Sequence, residues 1–241
     1  MLTFDQLDAF AAAFSTLGRL HITPATAETI EQVVSLLDEW PAPASSEATA
    51  TGVDAWRSSV AEGESVADIH RDHDLLYGIS ANAKVPPFES VHRNEEGLVF
   101  DKETLEVRDQ YRRLGLQAPH LNREPDDHIG LELDFLAQCC VSALTALEQD
   151  ATLAAERYER IAAEFTRDHL MTWAPDMLEK AIDSAETDWM RGLEHMTLGA
   201  IAAWNDALED SQVLGGNLDT SDSSDSSDSI PAAYPSQREA E

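Results

Sequence analysis

Lysine is nearly missing from this chain: only Lys84, Lys102 and Lys180 occur. Without a basic stripe, direct nucleic-acid binding is excluded as a working reading. Cysteine is almost as rare, and Cys139 and Cys140 are adjacent. Neighbouring side chains on a helix diverge by roughly 100°, so a bond between these two would be strained. The spacing is neither a metal-ligand pattern nor a CxxC redox motif, and small core residues are expected. No run of 18 or more apolar residues occurs, so no membrane span is expected. The opening residues Met1-Leu2-Thr3-Phe4-Asp5-Gln6 carry no basic region and no apolar stretch of the secretory type. The cytoplasm is therefore the expected compartment. No useful length of alternating polar and apolar residues appears, which argues against strands. A glycine-rich phosphate loop and a nucleophile constellation are also missing.

What is abundant is negative charge. The 46 acidic residues stand against 16 basic ones, a formal net charge of −30 over 241 residues. Such a chain repels itself in dilute buffer. At molar salt the Debye length falls to about 3 Å and the repulsion is screened. Acid-rich, lysine-poor composition resembles proteins of salt-accumulating halophiles. An acidic partner for a basic ligand and a nucleic-acid mimic are the alternatives. Apolar residues make up 43%, enough for a substantial core.

Residues 1 to 209 read as one all-α domain of eight or nine helices. Thr3 and Gln6 form a capping-box pattern, followed by the stripe Phe4, Leu7, Phe10, Phe14 and Leu17. Thr23-Pro24 has the order of an N-cap and first helical residue. Ile30, Val33, Val34 and Leu37 follow, and Pro41 ends the segment. Val53, Trp56 and Val60 mark a third helix. A fourth begins at Ser65, with Ile69, Leu76 and Tyr77 inward. Between Ile79 and Asp101 the helical pattern stops at Val85-Pro86-Pro87. Leu98-Val99-Phe100 reads as a short extended piece. Helix resumes with Leu105, Arg108, Tyr111 and Leu114, closed by Gly115. The most apolar helix starts near Asp126 and carries Ile129, Leu133, Leu136, Cys140, Leu144 and Leu147. Three further helices carry Leu153 to Leu170, Leu178 with Ile182, and Trp189 to Leu208 behind a Thr187 cap. Residues 210–241 form a separate tail. Its run Thr220-Ser-Asp-Ser-Ser-Asp-Ser-Ser-Asp-Ser229 lacks the apolar surface that would offset ordering entropy, so disorder is expected.

Three segments could carry function. His70 and His73 share a helix face, with Asp72 and Asp74 nearby, and could hold a metal in a helical enzyme. No second ligand pair at a recognised spacing accompanies them, so an exposed polar face is expected. Glu124-Pro125-Asp126-Asp127-His128 places two carboxylates where a helix begins, which suits capping. His128 and Glu132 lie one turn apart and could bond across the helix surface. Val85-Pro86-Pro87-Phe88-Glu89-Ser90-Val91 combines prolines with a ring, a carboxylate and a hydroxyl. A stiff apolar ledge with one charge suits an extended peptide, because little entropy remains to be lost on binding. A structured crossover loop would look the same.

Taken together, these segments resemble a known family. Tyr77-Gly78 followed by Pro86-Pro87-Phe88-Glu89-Ser90-Val91 resembles the "Y/F-x-G … PP-Y/W-x-S-V" segment of the TorD/DmsD chaperones. Val107 to Gly115, with Tyr111, resembles the V-x-x-x-Y-x-x-x-G that follows. Glu124 to Phe135 resembles E-P-x-D-H-x-x-x-x-L-x-F. Phe165 to Pro175, with His169-Leu170 and Trp173, is similar to F-x-x-x-H-L-x-x-W-x-P. The resemblance covers about residues 70 to 176; the tail has no counterpart.

The resemblance implies an all-α cytoplasmic chaperone with neither catalytic residues nor a metal or other cofactor of its own. Its implied partner is the catalytic subunit of a molybdopterin-containing oxidoreductase, of the dimethyl sulfoxide or trimethylamine N-oxide reductase type. The chaperone binds that subunit's twin-arginine signal peptide and assists cofactor insertion before export. Monomer and helix-exchanged dimer are both compatible with the family. The implied peptide-binding residues are Tyr77, Pro86, Pro87, Phe88, Glu89, Ser90, Val91, Asp127 and His128. Glu89 and Asp127 are expected to meet the arginines, and Phe88, Val91 and Tyr77 the apolar part. A helical scaffold whose acidic tail binds a basic partner is the remaining alternative.

Overall fold

A computed structural model describes residues 1–41, 46–78, 83–94, 98–119 and 125–215, the last four as backbone only. Among the described residues there are ten α-helices and no strand. The helices are α1 (Phe4–Ile22), α2 (Ala27–Ser35), α3 (Glu47–Glu62), α4 (Val66–Tyr77), α5 (Glu89–Arg93), α6 (Lys102–Arg113), α7 (Ile129–Glu148), α8 (Thr152–Asp168), α9 (Ala174–Ser184) and α10 (Asp188–Gly215). The chain is thus all-α, and each of the nine helical patterns in the sequence has its helix. The tenth, α5, is a single turn hidden behind the prolines.

Local signals set most boundaries. The Thr3–Gln6 capping box opens α1, Ser65 accepts from Asp68 N at α4, and Thr187 accepts from Met190 N at α10. Each satisfies one orphan N–H of a first turn. Gly115 follows α6 at φ 71°, the left-handed turn glycine adopts without a Cβ clash.

Two long pairings build the core. Helix α1 lies along α7, and α3 runs antiparallel to α10, with Trp56 stacked on Trp189 at 5.2 Å between ring centres. Phe10 and Phe14 meet Trp204 edge-on, which ties α1 to α10. Gly18 and Gly130 permit the closest approach: a Cβ on Gly130 would lie 2.5 Å from Gly18 O. By length and composition α7 is apolar enough to cross a membrane, but here it is the central helix, packed between α1 and α8. Cys139 and Cys140 are both buried in it as free thiols.

Several sequence expectations are corrected. Thr23-Pro24 does not open α2. Thr23 ends α1 in extended geometry and Thr26 caps α2, accepting from Thr29 N. The residue before a proline is pushed out of the helical region, which explains the gap. Leu98-Val99-Phe100 forms no strand, and Phe100 sits at φ 62°. Leu105 is 55% exposed, because α6 buries Thr104, Val107 and Tyr111 instead. The His70–His73 face is not an exposed polar one. His70 bonds Ala25 O at 3.0 Å, and the buried His73 bonds His21 O at 3.1 Å. Helix α10 runs to Gly215. The Ser/Asp run expected to be disordered lies outside the described residues.

Candidate functional site

The proline loop and the Asp127-His128 pair, 40 residues apart in sequence, meet in an isolated antiparallel bridge between Phe88 and His128. Glu89 N donates to Asp127 O and Ile129 N to Pro87 O, both at 2.9 Å. Chain direction is set further back, where Val85 N donates to Leu76 O and folds the loop along the end of α4. His92 bonds Pro86 O at 2.7 Å and stacks on Trp173. The loop is therefore pinned at both ends.

The two carboxylates of the site face inward. Asp127 is fully buried; it accepts from Ser90 N and from the Thr104 hydroxyl, each at 2.7 Å. It thus caps the first turn of α5 and ties it to α6, whereas His128 caps α7 by accepting from Gly130 N. This corrects the expectation that the aspartates cap α7. Glu89, also fully buried, receives the Arg93 guanidinium and lies 3.0 Å from His169 Nδ1. Neither carboxylate is presented to the surface in this conformation.

Two more buried acids complete the floor. Asp126 pairs with Arg108, and its backbone carbonyl accepts from the Tyr111 hydroxyl. Glu132 accepts from Trp173 Nε1 at 3.2 Å instead of bonding the His128 ring. Burial, then the charges of Glu89 and Asp127, push the Glu132 carboxyl well above the usual range. Burial, with a smaller contribution from His73, lowers His128 to about 3, so its ring is neutral at physiological pH.

Pro86, Phe88, Val91 and His128 remain half-buried, while Pro87, Glu89, Ser90 and Asp127 are covered. The Phe88 ring meets His128 edge-on at 5.3 Å. What reaches the surface is a rigid apolar and aromatic ledge over a buried charged floor. Tyr77 stands apart from it: its hydroxyl bonds Glu194 and His21 inside the α1–α4–α10 junction. Arg93, Thr104, Glu132, His169 and Trp173 hold the ledge without having been singled out for this. The H-L-x-x-W spacing of His169 and Trp173 was the available signal. A cavity of about 400 Å³ between α1 and α2, lined by Arg19, Leu20, Val33 and Trp40, involves none of these residues. Among the described residues no group of three or more metal-ligating side chains assembles.

Comparison with known proteins gives the chain a family. Residues 42–179 match the family model described as nitrate reductase delta subunit. The chain is 30% identical to the Tat proofreading chaperone DmsD of Salmonella typhi over 206 residues, 85% of this chain and 93% of the relative. It is 27% identical to the probable Tat proofreading chaperone DmsD of Haemophilus influenzae over 119 residues, 49% of this chain and 51% of that protein. It is 31% identical to the chaperone protein TorD of Vibrio cholerae over 94 residues, 39% of this chain and 41% of that protein. With more than half of its length inside the family model and a DmsD matched almost end to end, the chain belongs to the nitrate reductase delta subunit family, that of the TorD/DmsD chaperones.

Proposed function

We propose that this protein is a cytoplasmic maturation chaperone for a molybdopterin-containing oxidoreductase of the dimethyl sulfoxide or trimethylamine N-oxide reductase type. It holds the client's twin-arginine signal peptide until the cofactor is inserted. The protein contributes no chemistry of its own to the client, in keeping with relatives that are named chaperones. The ledge of Pro86, Phe88, Val91 and His128 takes part of the peptide, and Pro87, Glu89, Ser90 and Asp127 hold that ledge in shape. Tyr77 acts from behind, through the packing of α4.

The observation that carries this reading is the Phe88–His128 bridge. It joins the two resembling segments into one stiff, half-exposed apolar surface, the kind that binds an extended peptide with little ordering cost. Titration of a labelled twin-arginine signal peptide in molar KCl tests it. The intact protein binds, and Phe88→Ala weakens binding about tenfold or more without lowering the melting temperature appreciably. Unchanged binding by Phe88→Ala would remove the ledge from the peptide's path.

A further inference from the structure

Burial of Glu89 and Asp127 leaves the two arginines of a signal peptide without the carboxylates expected for them. The surface beside α5 offers others. Just beyond Asn94, Leu98, Val99 and Phe100 are 53%, 46% and 48% exposed, and Leu105 on the first turn of α6 is 55% exposed. Singly exposed apolar residues are ordinary, but three consecutive ones, Leu98 to Phe100, on a highly charged chain mark an interaction surface. Leu98 and Asp101 are tied to Asn94, whose side chain accepts from Leu98 N, donates to Leu98 O and donates to Asp101, at 3.0–3.2 Å. Phe100 and Leu105 occupy the two positions of a hydrophobic staple around the Asp101 cap, yet both stay half exposed.

One turn further along the same face of α6 the surface changes character. Glu106, Asp109 and Gln110, with Asp168 and His169, line an open cavity of about 370 Å³. Leu105 and Asp109 are four residues apart, hence neighbours on the helix surface. The carboxylates now pair with Lys102, Arg112 and Arg167, all largely exposed. Such pairs exchange at little cost. His169 connects the cavity to the ledge, because its other side meets Glu89 at the start of α5.

We propose that the exposed Leu98–Phe100 and Leu105 surface, with the acidic cavity beside it, is where the client's signal peptide docks its arginine pair and the apolar residues that follow. The proposal rests on the signal-peptide reading given above. The occupant follows from complementarity: the surface presents carboxylates next to an apolar patch, and the peptide presents guanidiniums next to an apolar stretch. Arginine suits the carboxylates of Glu106 and Asp109 through forked hydrogen bonds.

Two double variants and two peptides test this by fluorescence titration. Phe100→Gly/Leu105→Ser removes apolar surface and places glycine at a positive φ, so the melting temperature does not fall while affinity falls about tenfold. Glu106→Gln/Asp109→Asn weakens an Arg-Arg peptide about tenfold and a Gln-Gln peptide hardly at all. If both variants bind like the unaltered protein while Phe88→Ala does not, this inference is overturned and the ledge stands. Equal losses for the two peptides with Glu106→Gln/Asp109→Asn would overturn the arginine assignment. If the unaltered protein binds neither peptide, the inference and the chaperone reading fall together.

Discussion

Asp127 illustrates how a buried residue can shape a surface that it does not reach. Its two oxygens satisfy an α5 amide and an α6 hydroxyl in a fully buried position. Asp127→Asn keeps the shape and can keep both contacts, its amide oxygen accepting from Ser90 N and its NH2 donating to the Thr104 hydroxyl, but it removes the charge that strengthens them. Exchanging charge-assisted for neutral hydrogen bonds in a buried position costs about 1–2 kcal/mol, measurable by urea unfolding. A second residue-scale prediction concerns Glu194, which burial raises to about 8, against the hydrogen bond from Tyr77 and with added repulsion from Asp72. A raised carboxyl is neutral in the fold and ionised in the unfolded chain, so folding takes up a proton between pH 4.5 and 8. Stability therefore falls as pH rises through that window. The shifted histidines (His21, His73, His92, His128 and His195) all move downward from 6.5, so above that pH they stay neutral in both states. Between pH 6.5 and 8 Glu194 should cost about 2 kcal/mol, the part of the slope that Glu194→Gln removes while the part due to the buried Glu132, also raised, stays. The residues of the site were legible as motifs; their orientation was not. A carboxylate next to prolines reads the same whether it faces solvent or an arginine in the core.

At the scale of elements, α7 and its neighbours position everything else. Because a Cβ on Gly130 meets a backbone oxygen of α1 and not a yielding side-chain end, Gly130→Ala forces α1 off α7. The expected loss is about 2 kcal/mol or more, read as a lower melting temperature together with weaker peptide binding, since His128 caps the same turn. Helix positions were legible because apolar residues recur every three or four positions, and Thr3, Ser65, Thr187 and Gly115 punctuate them. The misreadings have local causes. Thr23-Pro24 satisfied a capping rule, yet proline's restriction on Thr23 placed the start at Thr26. Helix α5 is too short for a periodic signal and owes its turn to the distant Asp127. Leu105 followed the α6 period, but Thr104 faces inward because Asp127 is there to receive its hydroxyl.

Across the whole molecule, the charge of −30 sets the conditions under which these contacts operate. Self-repulsion should make the fold more stable as KCl rises from about 0.1 M to 2 M, where screening shortens to a few ångströms. A thermal melt that rises with salt supports this, and one that is flat contradicts it. On the proposed function, long-range steering of a cationic signal peptide is lost under the same conditions, and apolar burial carries more of the affinity. The all-α class was readable from periodicity alone, whereas the client class came from resemblance, because nothing in a helical stripe names a partner. The most direct test of the account is site-specific photo-crosslinking to a twin-arginine signal peptide, with the photoreactive residue placed at position 88 and, separately, at position 36 in the α1–α2 cleft. The account predicts peptide captured from position 88 and none from position 36; capture from position 36 alone would contradict it.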